Sequence, residues 1–519
     1  MFKSVYSAGL AGIDGFIVTV ESNSTQRLQN FEIVGLPDAS VKEAKQRVRT
    51  AIENSGFLFP ELDLMVNLAP ASRKKEGSYY DLAILAGILS VTGMIPSDID
   101  LSDCVFIGEL SLSGELRAVN GALCLCLAAK DAGFKHIFVP YTNAAEASVV
   151  EGINVYGVHD VRELVLHLIG RKPIEKQEFD RAKFKCEFSK SALDFSDVKG
   201  QAQVKRALEI AAAGGHNILL IGPPGTGKSM LAKRLPTILP ELTFDEAIET
   251  TKIHSISGLL PTGSSLVCQR PFRSPHHTMS ATSLVGGGSM PMPGEISLAH
   301  NGILFLDELP EFPKQITDSL RQPLEDGQVT VTRTAGRFTY PSSFMLVCAM
   351  NPCKCGYYGH PTHECTCKPA DIKRYLSQIS GPLLDRIDIQ IEVPSVSFED
   401  MNKNIPSEAS ESIRERVAKA RAFALERFEA ASREQNSDIP MIYKNSEMGQ
   451  RHIRRFCQLD DAASRLLAAA YERLSLSARG YDRLIRVSRT IADLDASEVI
   501  KENHVAEAIR YRTLDKKYW

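Results

Sequence analysis

The fold is decided by residues 217–229, which read NILLIGPPGTGKS. The first five are mostly apolar, as in a buried strand, and the last eight, Gly222–Ser229, fit the pattern G-x-x-x-x-G-K-[ST]. A helical pattern follows over Lys228–Thr237, so the glycine-rich turn joins a strand to a helix. Backbone N–H groups of such a turn can surround phosphate oxygens, and the sequence therefore predicts a nucleotide phosphate site.

Within this loop each residue has a predicted contact with ATP or Mg²⁺. Lys228 is expected to reach the β- and γ-phosphates, and the Ser229 hydroxyl is expected to ligate Mg²⁺. A chance Gly/Pro turn is the competing interpretation, which the strand–loop–helix context disfavours. The other positions expected to hold the nucleotide are Gly222, Pro223, Pro224, Gly225, Thr226 and Gly227.

A second buried strand, Ile303–Leu306, ends in the two carboxylates Asp307 and Glu308. We expect Asp307 to hold Mg²⁺ together with Ser229, and Glu308 to polarise the water that attacks the γ-phosphate. Acidic residues are common at strand ends, so this pair alone would be weak evidence. Because the pair lies downstream of the phosphate loop, it is strong evidence for a catalytic role.

Two further residues complete the predicted catalytic set. A strand over Phe344–Ala349 delivers Asn351 to the same sheet edge, where its amide could orient the attacking water. The segment GPLLDRID, residues 381–388, places Arg386 among apolar residues. This arginine is a candidate to stabilise transition-state charge when a neighbouring subunit supplies it, and a surface ion pair is the alternative.

The sequence divides into four parts. Residues 196–397 alternate short apolar runs with amphipathic stretches, which predicts an α/β core with a parallel sheet. Residues 398–519 form long Ala/Leu/Arg/Glu-rich segments and are predicted to be an all-helical lid. Residues 171–195 mix many charges with little periodicity and are predicted to be a linker. Residues 1–170 are then a separate amino-terminal domain.

The composition is that of a soluble globular protein. The 519 residues carry 60 Lys/Arg and 63 Asp/Glu, a formal net charge of -3, which excludes a histone-like polycation. Residues 1–170 have 13 basic and 20 acidic side chains, so the first third is acidic and the rest mildly basic. Nucleic-acid binding would therefore need a local concentration of basic residues.

We expect a cytoplasmic protein with no membrane partner. The first residues lack the pattern of a secretory signal. No apolar run reaches the roughly 18 residues needed to cross a bilayer, and Leu82–Ile95 is predicted to be a buried helix. The eleven cysteines are odd in number, which favours reduced thiols or metal ligands over a disulfide framework.

Four of the cysteines are grouped directly after Asn351. They form two C-x-C pairs, Cys353 with Cys355 and Cys365 with Cys367, in a short loop with little apolar content. Four thiolates at this spacing can close a tetrahedral Zn²⁺ site, and unliganded reduced thiols are the alternative.

Together these motifs resemble the AAA+ ATPases, and within them the magnesium-chelatase-like branch. The stretch LSARGYDRLIRVSRT, residues 476–490, is similar to the second sensor region of that group. The resemblance implies nucleotide contact by Arg479, with Arg483 in reserve. Residues Ser255–Glu295, which contain RPFRSPHHT, are similar to the helix-2 insertion of the same branch.

With NPCKCGYYG after the third strand and the acidic amino-terminal domain, nearly the whole chain resembles the ComM/YifB family of bacterial competence-associated helicases. The family implies a ring-forming, hexameric ATP-driven motor acting on single-stranded and branched DNA. It would promote branch migration and extend heteroduplex when incoming DNA is recombined in natural transformation, with recombination proteins as partners. The alternative is a chelatase-type motor subunit that acts on a protein partner.

DNA binding would use loops that point into the ring's pore. The sequence VTVTRTAGRFTY, Val329–Tyr340, alternates as two strands around a turn and predicts a hairpin. In a ring, a few arginines per subunit give a high positive charge density against phosphates, whereas surface pairing with acidic neighbours is the alternative. The predicted DNA contacts are Arg333 and Arg337 of the hairpin and Arg270 and Arg273 of the insertion, beside His276 and His277.

Residues 1–170 resemble the Lon protease domain, an α+β fold of the ribosomal-S5-domain-2-like superfamily. Aligned on that resemblance, Tyr79 stands where Lon has its nucleophilic serine, and Leu123 stands where it has its lysine. Ser78 lies one position away, with no lysine at the matching place. Since a serine peptidase needs both a nucleophile and a base, we expect no peptidase activity. DNA, a protein partner and neighbouring subunits remain open as ligands of this domain.

Overall fold

The computed structural model describes residues 1–26, 28–182, 193–288, 291–333, 336–395, 407–433 and 440–519. The predicted boundary between core and lid at 397/398, residues 183–192 of the predicted linker and the tip of the predicted hairpin lie outside the described residues.

The amino-terminal unit is built on a mixed sheet flanked by helices. Its helices are α1 (Ala39–Asn54), α2 (Asp81–Val91), α3 (Ala122–Asp131), α4 (Tyr141–Ala147) and α5 (Val161–Leu168). Its strands are β1 (Phe2–Ala11), β2 (Asp14–Thr25), β3 (Asn30–Val34), β4 (Asp63–Ala69), β5 (Cys104–Phe106), β6 (Glu109–Leu110), β7 (Leu116–Arg117), β8 (His136–Pro140), β9 (Asn154–Val158) and β10 (Lys176–Gln177).

In the described part of this unit, eight strands form one sheet in the order β10-β9-β8-β5-β1-β2-β4-β3. Every residue of α2 is buried, and the helix lies against β1 and β2. This confirms the prediction of a buried helix in that stretch. None of the described helices is long and apolar enough to cross a bilayer.

The sheet of the amino-terminal unit gains an edge strand beyond residue 170. Lys176 and Gln177 pair antiparallel with Tyr156 and Val155, and they add an edge strand to the sheet. Backbone hydrogen bonding therefore extends the unit into the predicted linker, which charge and composition could not reveal.

The core carries the nucleotide-site motifs on a parallel sheet. Its helices are α6 (Ala202–Gly214), α7 (Lys228–Arg234), α8 (Phe244–Ile256), α9 (Ala281–Val285), α10 (Glu295–Leu298), α11 (Lys314–Ser319), α12 (Arg321–Asp326), α13 (Pro369–Leu376) and α14 (Gly381–Leu384). Its strands are β11 (Ile218–Ile221), β12 (Phe272–Arg273), β13 (Gly286–Gly287), β14 (Met292–Pro293), β15 (Ile303–Leu306), β16 (Gln328–Arg333), β17 (Gly336–Pro341), β18 (Met345–Met350) and β19 (Ile389–Glu392).

Among the described residues, five of these strands form the parallel sheet, in the order β12-β15-β18-β11-β19. β11, β15 and β18 are wholly buried because helices cover both faces, which is why they appear in the sequence as continuous apolar runs. The predicted parallel α/β core is confirmed.

The lid is helical, as predicted. It packs onto α6 of the core through an apolar cluster that includes Val417, Leu484 and Ile491. Its described helices are α15 (Ser410–Arg433), α16 (Gln450–Phe456), α17 (Asp461–Leu474), α18 (Ala478–Leu494), α19 (Glu502–Arg510) and α20 (Asp515–Tyr518).

Candidate nucleotide-binding site

The candidate site lies at the carboxyl edge of the parallel sheet. Gly222 directly follows β11, Asp307 follows β15 and Asn351 follows β18. These strands are neighbours in register, with Ile221 opposite Met350, so their ends meet at one edge. The sheet topology therefore brings together three segments that are far apart in sequence.

The phosphate loop turns sharply between β11 and α7. Gly225 and Gly227 have φ values of 79° and 85°, the left-handed region that favours glycine. A Cβ at Gly225 would meet no atom within 4 Å, so backbone conformation, and not crowding, is the reason for glycine there. Thr226 fixes the turn by donating from Oγ1 to the carbonyl of Pro223, at 2.9 Å.

Lys228 points back into the loop. Its Nζ donates to the carbonyls of Gly222 at 2.7 Å and Pro223 at 2.8 Å, and to Asn351 Oδ1 at 3.1 Å. Burial lowers the pKa of Lys228, and the carboxylates of Asp307 and Glu308 oppose that shift. A buried ammonium with three oxygen partners is ready to exchange them for phosphate oxygens.

Ser229 and Asp307 are adjacent, as their predicted shared role requires. Ser229 Oγ donates to Asp307 Oδ2 at 2.6 Å. A hydroxyl and a carboxylate are hard oxygen donors of the kind that Mg²⁺ takes alongside water and nucleotide phosphates. The donor set therefore fits Mg²⁺, with Ser229 and Asp307 as its protein contacts.

Glu308 lies beside this pair in an unusual backbone conformation. Its φ is 54°, and its amide donates to Asp307 Oδ1 at 3.0 Å. The side chain is 57% exposed, and Oε2 lies 3.5 Å from His277 Nδ1. An exposed carboxylate next to the expected magnesium ligands is placed to polarise a water at the γ-phosphate.

Gln201 supports the phosphate loop, a role that was not predicted from the sequence. Its Nε2 donates to the carbonyls of Thr226 at 2.8 Å and Pro394 at 3.2 Å. Gln201 has a φ of 56° just before α6. The Gly200–Gln201 pair ahead of a helix was the available signal, but a turn at that place does not reveal which loop its side chain reaches.

Arg386 and Arg479 lie at the opposite edge of the sheet. Both line a cavity of about 520 Å³, whose wall also includes Asn217 and Gly302, the residues that precede β11 and β15. Arg386 donates to the Pro382 carbonyl at 2.8 Å and forms an ion pair with Glu325, the alternative considered from the sequence, and its side chain is 16% exposed. The structure does not bring these arginines to the phosphate loop of their own chain.

Arg483 is engaged inside the fold. It is buried and donates to the carbonyls of Leu384 and Ile387 and to Asp385 Oδ1, at 3.2 to 3.4 Å. These acceptors flank Arg386, so Arg483 ties the lid helix α18 to the segment that carries the candidate arginine finger.

Two of the predicted DNA contacts are occupied by other partners. The Arg270 side chain is 7% exposed, and it donates to Glu246 Oε2 at 2.8 Å and to the Asn301 carbonyl at 2.8 Å. Arg273 pairs with both carboxylate oxygens of Glu295, each at 2.6 Å. Arg270 therefore ties the insertion to α8, and Arg273 joins two points within the insertion, so both predicted DNA contacts are engaged with carboxylates of their own chain.

Arg333 and Arg337 are placed differently. Both are exposed at the outer end of the β16–β17 hairpin, with Arg333 paired to Gly336 in the ladder. Arg333 Nη1 donates to the carbonyl of Thr332 at 3.0 Å. Neither guanidinium forms an ion pair with a carboxylate in the part of the chain that the structure describes.

The four cysteines after β18 converge on one point. The Sγ atoms of Cys353, Cys355 and Cys365 lie 3.3 to 3.7 Å apart, and those of all four, including Cys367, lie within 4.8 Å of one another. Four sulfurs at about 2.3 Å from one ion are about 3.8 Å apart, so the cluster fits tetrahedral Zn²⁺. Its donor set is that of a closed structural site.

The Lon-like positions carry no dyad in the structure. Tyr79 is largely buried, which raises its pKa to about 12. Leu123 is buried in α3, where its amide donates to Glu146 Oε1 at 2.8 Å. Ser78 Oγ donates to Glu109, a carboxylate.

Comparison with known proteins identifies the family. Models of magnesium chelatase subunit ChlI match residues 20–143 and 194–401, and a model of its C-terminal part matches residues 407–512. The competence protein ComM of Haemophilus influenzae is 42% identical over 514 residues, covering 98% of this chain and 97% of the relative. The chain belongs to the ComM/YifB family of magnesium-chelatase-like proteins.

Other relatives agree with this assignment. The YifB protein of Escherichia coli K12 is 41% identical over 513 residues, covering 99% of this chain and 97% of the relative. Lon protease 2 of Bacillus subtilis is 27% identical over 139 residues, 27% of this chain and 24% of the relative. As a ComM/YifB-family member, the chain is a magnesium-chelatase-like AAA+ ATPase with a Lon-like amino-terminal domain.

Proposed function

We propose that this ComM/YifB-family chain is the subunit of a ring-shaped, ATP-driven motor that moves branched DNA during recombination of incoming DNA. The observation that carries the proposal is the pair of exposed hairpin arginines, Arg333 and Arg337, which have no carboxylate partner among the described residues. The relationship to a competence protein supports the same biological setting.

The hairpin and the insertion offer a joint surface for a nucleic acid. Tyr340 of β17 donates its hydroxyl to the Pro291 carbonyl of the insertion at 2.5 Å. A Cβ at Gly287 of β13 would lie 2.9 Å from Arg333 Nη2, so the two loops are in direct contact. Six copies around a pore would place twelve hairpin arginines against phosphates, enough for sequence-independent binding.

Residues of this chain and of a neighbouring subunit would share the steps of ATP hydrolysis. Lys228 and the loop amides bind the phosphates, and Glu308 polarises the attacking water, which Asn351 helps to orient. Mg²⁺, held through Ser229 and Asp307, would neutralise charge on the β- and γ-phosphates.

The neighbouring subunit would supply the arginines. Arg386 and Arg479 lie at the opposite sheet edge from the phosphate loop of their own chain. A heterologous ring contact joins unlike faces of successive subunits, so it can bring this edge to the phosphate loop next door. We therefore propose a closed ring, a hexamer, in which nucleotide sites are completed between subunits.

A chelatase-type motor that acts on a protein partner is the second candidate. The match to magnesium chelatase models over most of the chain favours it. It would use the same nucleotide residues and would have no need for the hairpin arginines. The two candidates therefore differ in the response to DNA.

The experiment is ATP hydrolysis by the purified full chain with and without single-stranded or forked DNA, followed by branch migration of a strand-exchange intermediate. The DNA motor predicts stimulation by DNA and ATP-dependent resolution of the intermediate. An ATPase rate that ignores DNA, with no resolution, would leave the chelatase-type candidate.

We also propose that the cysteine cluster Cys353, Cys355, Cys365 and Cys367 holds a structural Zn²⁺. Burial raises the pKa of Cys355, but hydrogen bonds from backbone N–H groups and neighbouring thiols outweigh it and lower that pKa, whereas the pKa values of Cys353, Cys365 and Cys367 are raised, so the proposal rests on the distances between the four sulfurs. The loop also touches the nucleotide site, since a Cβ at Gly356 would lie 2.4 Å from Pro224 Cδ. A metal ion in this cluster would therefore stabilise the conformation of the phosphate loop through this contact.

Elemental analysis tests the zinc proposal. We expect about one zinc per chain in the wild type and in Cys268→Ser, a cysteine outside the cluster, and none in the Cys353→Ser/Cys355→Ser variant. Zinc content that does not respond to the double substitution would rule out this site. Loss of zinc should also weaken nucleotide binding, as measured by titration with a fluorescent ATP analogue.

A further inference from the structure

The loop that carries the four clustered cysteines gathers aromatic rings at the surface. The rings of Tyr357 and His363 lie 5.0 Å apart, and the ring of His360 lies 5.0 Å from His363 and 5.8 Å from Tyr357. Tyr358, the next residue, is 37% exposed. None of these four residues belongs to the apolar clusters of the described chain, so packing of the interior does not explain them.

The last helix of the lid adds to this group. The rings of Tyr518 in α20 and Tyr358 meet edge-on with centroids 6.3 Å apart, and the Trp519 ring lies 5.9 Å from Tyr518. The Tyr518 hydroxyl donates to Glu392 at the end of β19, which anchors the helix to the core. Trp519 itself is 39% exposed. We call the following rings together the aromatic surface: Tyr357, Tyr358, His360, His363 and Trp519.

Cations accompany these rings. Residues 351–376 contain four basic and two acidic side chains, in a chain whose net charge is -3. Lys354 lies between two of the clustered cysteines and Lys368 directly follows another, so both lie beside the point where the sulfurs converge. Lys373 and Arg374 follow on α13. All four are exposed, and none pairs with a carboxylate in the part of the chain that the structure describes.

Surface rings beside unpaired cations suit a single strand of nucleic acid. Unpaired bases stack on aromatic side chains, while lysine and arginine contact the phosphates. The centre of a protein interface is depleted of charged residues, whereas four cations share this segment with the rings. The large apolar side chains exposed here, Tyr358 and Trp519, are both aromatic. Base stacking uses both features of the surface.

The aromatic surface lies apart from the β16–β17 hairpin. The cysteine loop leaves the sheet after β18 ends, whereas the hairpin returns at Pro341, before β18 begins. Since β18 has six residues, the two attachment points are about 20 Å apart. A strand on the cysteine loop is therefore not held by the hairpin of the same subunit at that point.

We propose that the aromatic surface is a second site for single-stranded DNA, which stacks unpaired bases on its rings and binds their phosphates through the lysines beside it. The choice of DNA rests on the proposed function, whereas the stacking of unpaired bases follows from the surface itself. In the proposed motor, the hairpin would hold a strand in the pore, and the aromatic surface would hold a strand outside it.

Trp519 makes the site directly measurable, because it is the one tryptophan in the sequence and its fluorescence reports on this surface alone. The experiment uses the full chain with Arg333→Ala/Arg337→Ala, which removes the hairpin arginines. It is titrated with single-stranded oligothymidine and with a duplex of equal length. We expect saturable quenching by the single strand and little change with the duplex, whose base faces are covered.

Substitutions in the same background identify the groups responsible. Tyr357→Ala/Tyr358→Ala should weaken the affinity for oligothymidine roughly tenfold or more, because two stacking partners are lost. Tyr357→Phe/Tyr358→Phe keeps both rings and should bind as the background does. Tyr471→Ala is the matched control, since Tyr471 is an exposed lid tyrosine that also meets another ring edge-on, and it should have no effect.

The proposal is wrong if oligothymidine leaves the fluorescence of Trp519 unchanged, or if the alanine pair binds as tightly as the background. Where the alanine pair does not fold, Lys354→Ala/Lys368→Ala replaces it and should weaken binding and lower its salt dependence. A wild-type ATPase that DNA stimulates, without a response of Trp519, would refute this site alone. Saturable quenching in a protein whose ATPase ignores DNA would refute the proposed motor and support the site.

Discussion

In the proposed mechanism, Lys228 links nucleotide binding to water activation. Its three ammonium protons are shared among the carbonyls of Gly222 and Pro223 and the side chain of Asn351. A γ-phosphate that enters the loop must take over at least one of these bonds. In the proposed mechanism, release of Asn351 is the useful exchange, because it would free the amide to orient water. Binding of the phosphate would thus prepare Asn351 for that role.

We predict that Lys228→Ala abolishes hydrolysis, with kcat reduced by roughly 10²-fold or more, because the developing charge on the phosphates loses its buried cation. Lys233→Ala, exposed on the same helix, is the matched control and should keep wild-type turnover. Steady-state ATPase with phosphate detection measures both. Hydrolysis by Lys228→Ala at the wild-type rate would disprove the site.

Among the helices and strands, the sequence best predicted those segments in which the hydrophobic period and the composition change together. The buried strands β11, β15 and β18 were predicted within one residue at each end, because a parallel strand covered on both faces is apolar throughout. The added strand β10 was missed, since two exposed residues that pair only through the backbone leave no side-chain pattern.

Side-chain partners were harder to predict than elements. Arg270 and Arg333 are the same residue type in similar polar segments, yet one is buried against Glu246 and the other is exposed. The difference depends on Glu246, which lies 24 residues before Arg270 on α8 and approaches only in the folded chain. Local sequence spacing therefore predicted the phosphate loop, but it could not predict which arginines form ion pairs and which are exposed.

The β16–β17 hairpin should carry most of the DNA affinity. We predict that Arg333→Ala/Arg337→Ala weakens binding to single-stranded DNA and lowers the slope of log affinity against log salt by about 1.4, since each phosphate contact on a single strand contributes about 0.7. Fluorescence anisotropy over a salt series measures the slope. Arg433→Ala, an exposed lid arginine, should leave it unchanged. Equal slopes in the double variant and wild type would exclude the hairpin as a phosphate contact.

In the proposed ring, the two edges of one sheet would carry the two halves of a nucleotide site. The phosphate loop, Asp307 and Asn351 follow the strands, while Arg386 lines the cavity at their beginnings. Arg483 holds the Arg386 segment through its backbone carbonyls, so the lid fixes the orientation of this second half. The proposed division of the site would require copies of the molecule in a repeating head-to-tail arrangement.

Mixed rings test that arrangement. Arg386→Ala keeps an intact phosphate loop but has no arginine to offer, and Lys228→Ala keeps the arginine but has an inactive loop. We predict that each variant alone assembles into rings that do not hydrolyse ATP. An equal mixture should recover activity at about a quarter of the interfaces, where an intact phosphate loop meets an intact arginine. Mixing Lys228→Ala with the Arg386→Ala/Lys228→Ala double variant is the control and should recover nothing. Full-rate hydrolysis by Arg386→Ala alone, or no recovery in rings shown by mass to contain both variants, would mean that Arg386 does not act across the interface.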